Sequence, residues 1–559
     1  MTGTRALLSL LSVTVLAVTC LAFPVQAEDE QETAEKRPAV LEVNQRRIES
    51  LGLYDNPGDG SLGRDLWDNT RRSFLMEFIP RIPAPSKESF VHQRMVMGLL
   101  LSEANASLIE NDIDFEPGKD LLTLRLKRLN KLGAYKQSFQ LYSKLNQEPY
   151  HPELAKAGIT AMLYNAERSL ACLEYKTVED RDFPEEFWSD LKLYCNYALS
   201  EGTDKEARSA LRESSLKTLK NIAANNGYKV NYTPAKFKKL KDLERAILVA
   251  EDRVNWPEIN KKFVSSLPAN HLGILVAKPE LENSRRFQVL AAAANIGLAG
   301  NAMLKTFYTR VYDEELRQLE SPENLGWKDI VLAYQRTADT RKDTEKWDYM
   351  QTALAKLAQY GAGPLIPFGQ FLQTMDPKDQ NDSVIKQALK VIESSGENIP
   401  GKWVRHYTQK NPDNNFDHKL LLICQIMSRA NEEEILQNTD LKDYFEKLEK
   451  RTRTQYFNII ENVDKRHKDI HNADAIYVNV SDLTFTERYV MPMPRVWNQL
   501  VNSSQDKRIG ETVLLSTVIL NQQTLKDMYP GVAGDILQSL NTVGLTSASK
   551  ALALESVLD

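Results

Sequence analysis

An all-α fold of stacked antiparallel helical hairpins is what this sequence predicts, and three observations predict it. Apolar residues recur every three to four positions through most of the 559 residues, the spacing that lines one face of a helix. The interruptions between these runs are mostly short, so successive helices should lie antiparallel. Strand-like alternation is confined to one stretch. A long run of amphipathic hairpins with little sheet buries its faces most simply by stacking, and an α-solenoid is the expected architecture.

The first element stands outside that fold. Arg5 precedes an uncharged apolar run from Ala6 to Ala22, and Val25-Gln26-Ala27 stands ahead of Glu28-Asp29-Glu30. A cation, an apolar core and a small-x-small site describe a secretory signal peptide, residues 1–27, cleaved after Ala27. Two alternatives stay open. One is lipidation at Cys20, which the preceding Ala17-Val18-Thr19 does not favour, and the other is a retained anchor, which the good cleavage site opposes. Residues 28–38 are acidic and polar without apolar periodicity, so a disordered leader is expected. No later stretch approaches the roughly 20 apolar residues of a membrane span. The mature chain is therefore expected to be soluble, and periplasmic or secreted from a bacterial cell.

Residues 39–110 read as an N-terminal helical unit. Leu41, Val43, Ile48 and Leu51 lead to Gly52 and the turn Asp55-Asn56-Pro57-Gly58. Leu66, Phe74, Leu75, Phe78 and Ile79 form the next face, stopped by Pro80, Pro83 and Pro85. Ser86 is expected to cap a long helix with Val91, Met95 and Leu99 on its apolar face. The solenoid proper should occupy 111–473. Its first hairpin runs from Leu121 to Leu132, turns at Gly133 and resumes at Tyr135. Single helices are then expected at 152–175, 184–199, 205–224, 234–250, 282–298, 303–319, 328–337, 344–360, 384–394, 418–430 and 441–464. At 474–494 the rhythm breaks: residues 474–480 alternate with period two, which predicts a short extended or β joint. A C-terminal helical unit, 495–559, should close with a hairpin around Gly544.

Charge excludes one class of partner. With 71 basic and 76 acidic residues the net charge is −5, or −6 once Arg5 leaves with the signal. No basic face suited to nucleic acid emerges. The densest cluster, Lys236, Lys238, Lys239 and Lys241, reads as a solvated helix face. Three cysteines lie beyond the signal, and an oxidising compartment permits one bridge among them. Cys172 and Cys195 fall on neighbouring helices, offset by about 10 Å along the axes, which the connection 177–183 can absorb. A disulfide and two buried free thiols both stay open. Cys424 reads as a core residue.

Motifs that carry catalytic or metal chemistry are sparse in this sequence. His467 and His471 share one helix face at i, i+4, as many zinc sites require, and Asp474 could add a third ligand. The intervening Lys468-Asp469-Ile470 lacks the glutamate of His-Glu-x-x-His, so the pair are weak metal candidates with a solvated helix end as the simpler reading. His92, His151, His271, His406 and His418 stand alone in sequence. No nucleophile elbow, phosphate loop or dinucleotide fingerprint occurs. No catalytic residue is nominated and no cofactor is called for.

Three resemblances bear on this. The Glu-Ser dipeptides at Glu213, Glu393 and Glu555 invite comparison with soluble lytic transglycosylases, but the glycine-rich segment that should follow the catalytic pair is missing. The chain resembles only the non-catalytic superhelix of those enzymes. The hairpin at Gly133 resembles tetratricopeptide-type units, with a small residue at the turn and an aromatic just after it. Gly52-Leu53-Tyr54, Asp65-Leu66-Trp67, Phe187-Trp188, Tyr194-Cys195 and Val543-Gly544-Leu545 are similar to signatures of a group of uncharacterised, exported, all-helical proteins of Alphaproteobacteria. That likeness implies an envelope setting and favours a bridge between Cys172 and Cys195.

The expected function is a periplasmic helical-repeat scaffold or interaction protein that holds a protein or cell-wall partner, a reading by fold analogy. One alternative is an envelope enzyme acting on peptidoglycan or glycan from a site assembled by distant helices. It should show a cleft with clustered carboxylates of raised pKa. Another is a metal- or solute-binding protein using His467 and His471.

Overall fold

A computed structural model describes residues 47–113, 118–146, 151–179, 186–198, 229–278, 280–318, 325–397, 399–404, 446–448, 450–463, 465–466, 491–521 and 523–558. The chain divides into two compact units, Met1–Asn44 and Gln45–Asp559, and every described residue belongs to the second. The signal and leader regions, the helices expected at 205–224 and 418–430, Cys424, His467, His471 and nearly all of the joint at 474–494 lie outside the described residues.

Within the second unit the fold is all-α. The first half holds α1 Arg72–Phe78, α2 Phe90–Leu101, α3 Leu121–Leu132, α4 Tyr135–Tyr142, α5 Pro152–Tyr164, α6 Arg168–Val178, α7 Glu186–Ala198, α8 Pro234–Lys239, α9 Asp242–Ala250, α10 Lys261–Ser266 and α11 Ala269–Ala277. Then come α12 Asn283–Ala294, α13 Asn301–Val311, α14 Lys328–Asp339, α15 Asp343–Leu354, α16 Leu357–Tyr360, α17 Gly369–Leu372 and α18 Asp382–Ser395. The last are α19 Lys450–Asn462, α20 Pro494–Gln505, α21 Ile509–Leu520, α22 Pro530–Thr542 and α23 Thr546–Leu558. The strands among the described residues are β1 Val230–Asn231 and β2 Val254–Asn255, paired in parallel with Val230 opposite Val254.

Local chemistry sets many of the boundaries. The side chains of Asp120, Thr233, Asn260 and Asn381 cap the amides that open α3, α8, α10 and α18, supplying acceptors to otherwise orphaned N–H groups. Gly133 and Gly396 end α3 and α18 in the left-handed conformation, at φ 85° and 80°, where a Cβ is costly. Close approach needs glycine on both sides: a Cβ on Gly133 would stand 2.5 Å from Asn270 Cα, and a Cβ on Gly273 only 1.8 Å from the Gly133 carbonyl oxygen. The α3–α4 turn therefore seats directly on α11.

Several expected helices are broken. The segment 152–175 turns at Asn165-Ala166-Glu167, with Ala166 at φ 62°, and becomes the hairpin α5–α6. The segment 234–250 divides at Leu240, where Glu244 Oε2 accepts from the Lys241 N–H at 3.3 Å to start α9. The segment 303–319 changes to a π-turn at Tyr312–Leu316, and 344–360 divides into α15 and α16. The cap of α2 is Ser89, whose Oγ accepts from the His92 N–H at 3.0 Å; Ser86 lies outside the helix.

The expected amphipathic face on α2 also needs correcting, because the helix is buried nearly all round, its polar His92 and Gln93 included. A helix apolar on every side belongs inside a core. Around α2 pack α3, α18, α21 and α23, drawn from widely separated parts of the sequence. Hairpins such as α5–α6 and α14–α15 do pack with their sequence neighbours. A solenoid, however, restricts contacts to adjacent repeats, and α2 does not obey that restriction.

Side chains from one helix satisfy the ends of another throughout this core. Arg125 of α3, fully buried, donates from Nε to Leu100 O at 2.7 Å, from Nη1 to Leu51 O at 2.7 Å and from Nη2 to Ser102 O at 3.0 Å. These bonds fill the carbonyl end of α2. Burial lowers the Arg125 pKa to about 9, which leaves it charged at neutral pH. Arg94 of α2 donates to Glu393 O and Ser394 O at 2.8 and 3.2 Å, covering the end of α18. Arg286 of α12 does the same for α11 through Val276 O at 3.1 Å and Lys278 O. Each fork brings donors to carbonyls at or beside a helix end, where backbone N–H partners run short.

Candidate functional site

A buried polar group left unpaired costs roughly 1–3 kcal/mol, so the first test of any buried titratable residue is whether the fold already uses it. His92 Nδ1 accepts from the Ser86 N–H at 3.3 Å, which leaves Nε2 to carry the proton and donate to Thr517 O at 3.2 Å. Burial lowers its pKa to about 4. The ring is a neutral strut between α2 and α21.

His151 presents a more suggestive group. Its Nε2 lies 2.6 Å from Asp120 Oδ2 and 3.2 Å from Thr123 Oγ1, all three buried. A hydroxyl, an imidazole and a carboxylate invite a nucleophile reading, but a relay needs hydroxyl and carboxylate on opposite ring nitrogens. Here both face Nε2, and Nδ1 accepts from the Leu154 N–H at 3.1 Å. The arrangement is a double helix cap: Asp120 opens α3 and His151 opens α5. Burial pushes the Asp120 carboxyl up, and its bonds to His151 and Thr123 outweigh that and hold it below the ordinary carboxylate range.

The aromatic group at β1 and β2 is likewise closed. Tyr232 stacks on Trp256 with centroids 4.5 Å apart, and its hydroxyl lies 2.7 Å from His271 Nδ1. Burial raises the tyrosine to about 12 and lowers the histidine to about 4, so the hydroxyl donates to a neutral ring.

Cavities among the described residues include one of about 410 Å³ lined by Ser50, Arg64, Asp65, Glu103, Asn105 and Leu108 and two others. Of the other two, the first, about 230 Å³, lies where the end of α5 meets α9, β2 and α11. Tyr164, Val249, Val254, Trp256 and Ile274 supply apolar walls, and Asp252 pairs with Lys278 at 2.5 Å on its border. Ala166 and Asp252, two of the few non-glycine residues with positive φ among those described, both line it. From Ala166 the chain enters α6, whose inner face buries Ala171, Cys172, Tyr175 and Val178. Its outer face shows Leu170 and Leu173, 44% and 56% exposed. Cys172 and Cys195 stand at disulfide distance with Cα atoms 5.2 Å apart, joining α6 to α7. The expected 10 Å offset is absent because α6 continues to Val178 and places Cys172 near its middle.

The second cavity, about 540 Å³, brings together two of the Glu-Ser pairs. Glu393 of α18 and Glu555 of α23 both line it and both are about 5% exposed. Glu555 Oε2 accepts from Ser89 Oγ at 2.6 Å and Oε1 accepts from the Val91 N–H at 2.9 Å, so the carboxyl sits on the opening turn of α2. Arg94 Nη2 reaches Glu393 Oε1 at 3.4 Å. Burial first, and then the charge of Glu393, push the Glu555 pKa well above the ordinary value. Glu213 lies outside the described residues.

None of these partners was legible in sequence. His92 and Thr517 are 425 positions apart and Ser89 and Glu555 are 466 apart; the local signals are helix caps such as Asp120-x-x-Thr123 and Ser89-x-x-His92. Among the described residues no group of three or more His, Cys, Asp or Glu side chains could hold a metal ion, and no helix is long and apolar enough to cross a membrane. No family of known proteins, no curated protein and no solved structure matches this chain.

Proposed function

We propose that this chain is an exported interaction protein that grips a protein partner through the outer face of α6 and the neighbouring apolar cavity. The observation that carries the reading is the coincidence, at one turn, of two exposed leucines and a cavity of about 230 Å³. Small-molecule sites run from roughly 300 to 1,000 Å³. This cavity is smaller, on the scale of a single apolar side chain, which favours a protruding residue of a protein over a free metabolite. The cysteine pair supports the same reading, since a bridge there fixes α6 on α7 and with it the leucines. Export is supported by Arg5, the run Ala6 to Ala22 and the cleavage pattern at Ala27, together with a cysteine pair suited to an oxidising compartment.

A photo-crosslinker placed at Leu173 in cells should join one defined protein that a crosslinker at the exposed Lys131 of α3 does not reach. Leu170→Glu with Leu173→Glu should abolish that adduct and leave the melting temperature unchanged, as exposed substitutions usually do. Equal adducts at both positions, or an adduct indifferent to the glutamates, would overturn the reading. Sequencing the protein from the periplasmic fraction should begin at Glu28.

A second reading, an envelope enzyme acting on glycan, draws support from the two carboxyls in the larger cavity. Both oxygens of Glu555 are already bonded to α2, which speaks for a structural task. Peptidoglycan cleavage by the purified chain that disappears in both Glu393→Gln and Glu555→Gln would favour the enzyme; no cleavage would dismiss it.

A further inference from the structure

We propose that Asn105 is a glycosylation site: its side-chain nitrogen takes a saccharide from a lipid-linked donor outside the cytoplasmic membrane. The inference rests on the export reading, since acceptor, donor and transferase must meet beyond that membrane. Asn105-Ala106-Ser107 has the Asn-x-Ser pattern of such acceptors, and its geometry separates it from the other segments with that pattern.

The loop after α2 is built to present this side chain. Asn105 N–H donates to Arg64 O at 2.8 Å and Ala106 N–H to Ser50 Oγ at 2.9 Å. Ala104 and Ala106 are buried, while Asn105 and Ser107 between and after them are exposed. Asn105 Oδ1 accepts from Ser107 N–H at 3.1 Å and from Ser107 Oγ at 2.6 Å. A backbone N–H can only donate, so the amide oxygen belongs there and Nδ2 forms the other end. No bond from Nδ2 is found among the described residues. Electron density drawn toward Oδ1 also makes the Nδ2 protons easier to remove. Beside Asn105 lies the cavity of about 410 Å³, where Arg64, Asp65 and Glu103 offer charged groups to sugar hydroxyls and Leu108, 37% exposed, offers an apolar face. Its volume falls in the range of small-molecule sites and gives the first sugar room against the surface.

Asn231, Asn381 and Asn502 carry the same pattern and lack this arrangement. Thr233 Oγ1 caps α8, accepting from the Lys236 N–H, and Asn231 Oδ1 accepts from Asn255. Asn381 Oδ1 accepts from the Val384 N–H that opens α18. Asn502 lies within α20, and the hydroxyl of the buried Ser504 donates to Val501 O. Asn479 lies outside the described residues.

The transfer balances without an oxidant or reductant. The donor is a saccharide joined through its anomeric carbon to a polyprenyl diphosphate. Asn105 Nδ2 attacks that carbon, and a C–N bond forms as the C–O bond to the diphosphate breaks. The diphosphate leaves with the electron pair, and one Nδ2 proton passes to a carboxylate of the transferase.

Mass spectrometry of the denatured full chain, recovered from the periplasm of its own cells, should find a peptide in which Asn105 carries one or more sugar residues. Asn105→Gln and Ser107→Ala should each abolish that glycopeptide, and Ser107→Thr, which keeps the hydroxyl, should retain it. Both positions are exposed, so the melting temperature of each variant should stay where it is. Should Asn105→Gln fail to accumulate, the two Ser107 variants decide alone. A chain that begins at Glu28 with Asn105 unmodified overturns the proposal and leaves export standing. A cytoplasmic chain that keeps Arg5 and the apolar run after it overturns export and the proposal together. Sugar on Asn231, Asn381 or Asn502 in place of Asn105, or sugar released on denaturation, overturns the proposal alone.

Discussion

Arg125 shows how much one side chain holds. Its three bonds fill the end of α2 and anchor Leu51, and truncation leaves those carbonyls buried without donors. Arg125→Ala should lower stability by roughly 3–5 kcal/mol, read as a fall in the urea midpoint; a loss under about 1 kcal/mol would show that water replaces the guanidinium. Ala166 works in the other direction. Its left-handed backbone at the end of α5 is strained by the methyl group, so Ala166→Gly should raise stability by about 0.5–1 kcal/mol. Nothing in the sequence sets Arg125 apart from the other charges of a leucine-rich helix. The partners that make it a core residue belong to a different helix, and no local pattern points to them.

Elements were legible where their signals were local. The hairpin at Gly133 was read correctly because a left-handed glycine ends a helix whatever surrounds it. The break at 165–167 was missed because Asn165-Ala166-Glu167 carries neither glycine nor proline. The consequence reaches the candidate site: in an unbroken helix Leu170 would stand seven residues after the buried Leu163, on the same face, and would have been assigned to the core. The turn resets the phase and leaves it outside. The cysteine pair belongs to this scale too. Closing a loop across a separation of 23 residues should contribute about 3 kcal/mol. Cys172→Ser with Cys195→Ser should lose about that amount, with hydrogen exchange rising first in α6 and α7. Mass spectrometry without reduction should find the two cysteines in one linked peptide pair.

For the described residues as a whole, the all-α class was readable from periodicity, whereas the pattern of contacts was not. Periodicity reports which face of a helix is apolar, and it cannot report that one helix is buried on all faces because four others meet on it. That is the place of α2, capped at its start by Glu555, at its end by Arg125, and tied laterally through His92, Gln93 and Arg94. Among the described residues, the buried polar side chains thus serve mainly to join helices distant in sequence.

The joint between Ser89 and Glu555 tests that account most directly. In a double-mutant cycle of Ser89→Ala and Glu555→Ala at pH 5, followed by urea unfolding, the two losses should be non-additive by about 1–2 kcal/mol. Additive losses, with coupling under about 0.3 kcal/mol, would mean that α23 is not fastened to α2 and would contradict the account.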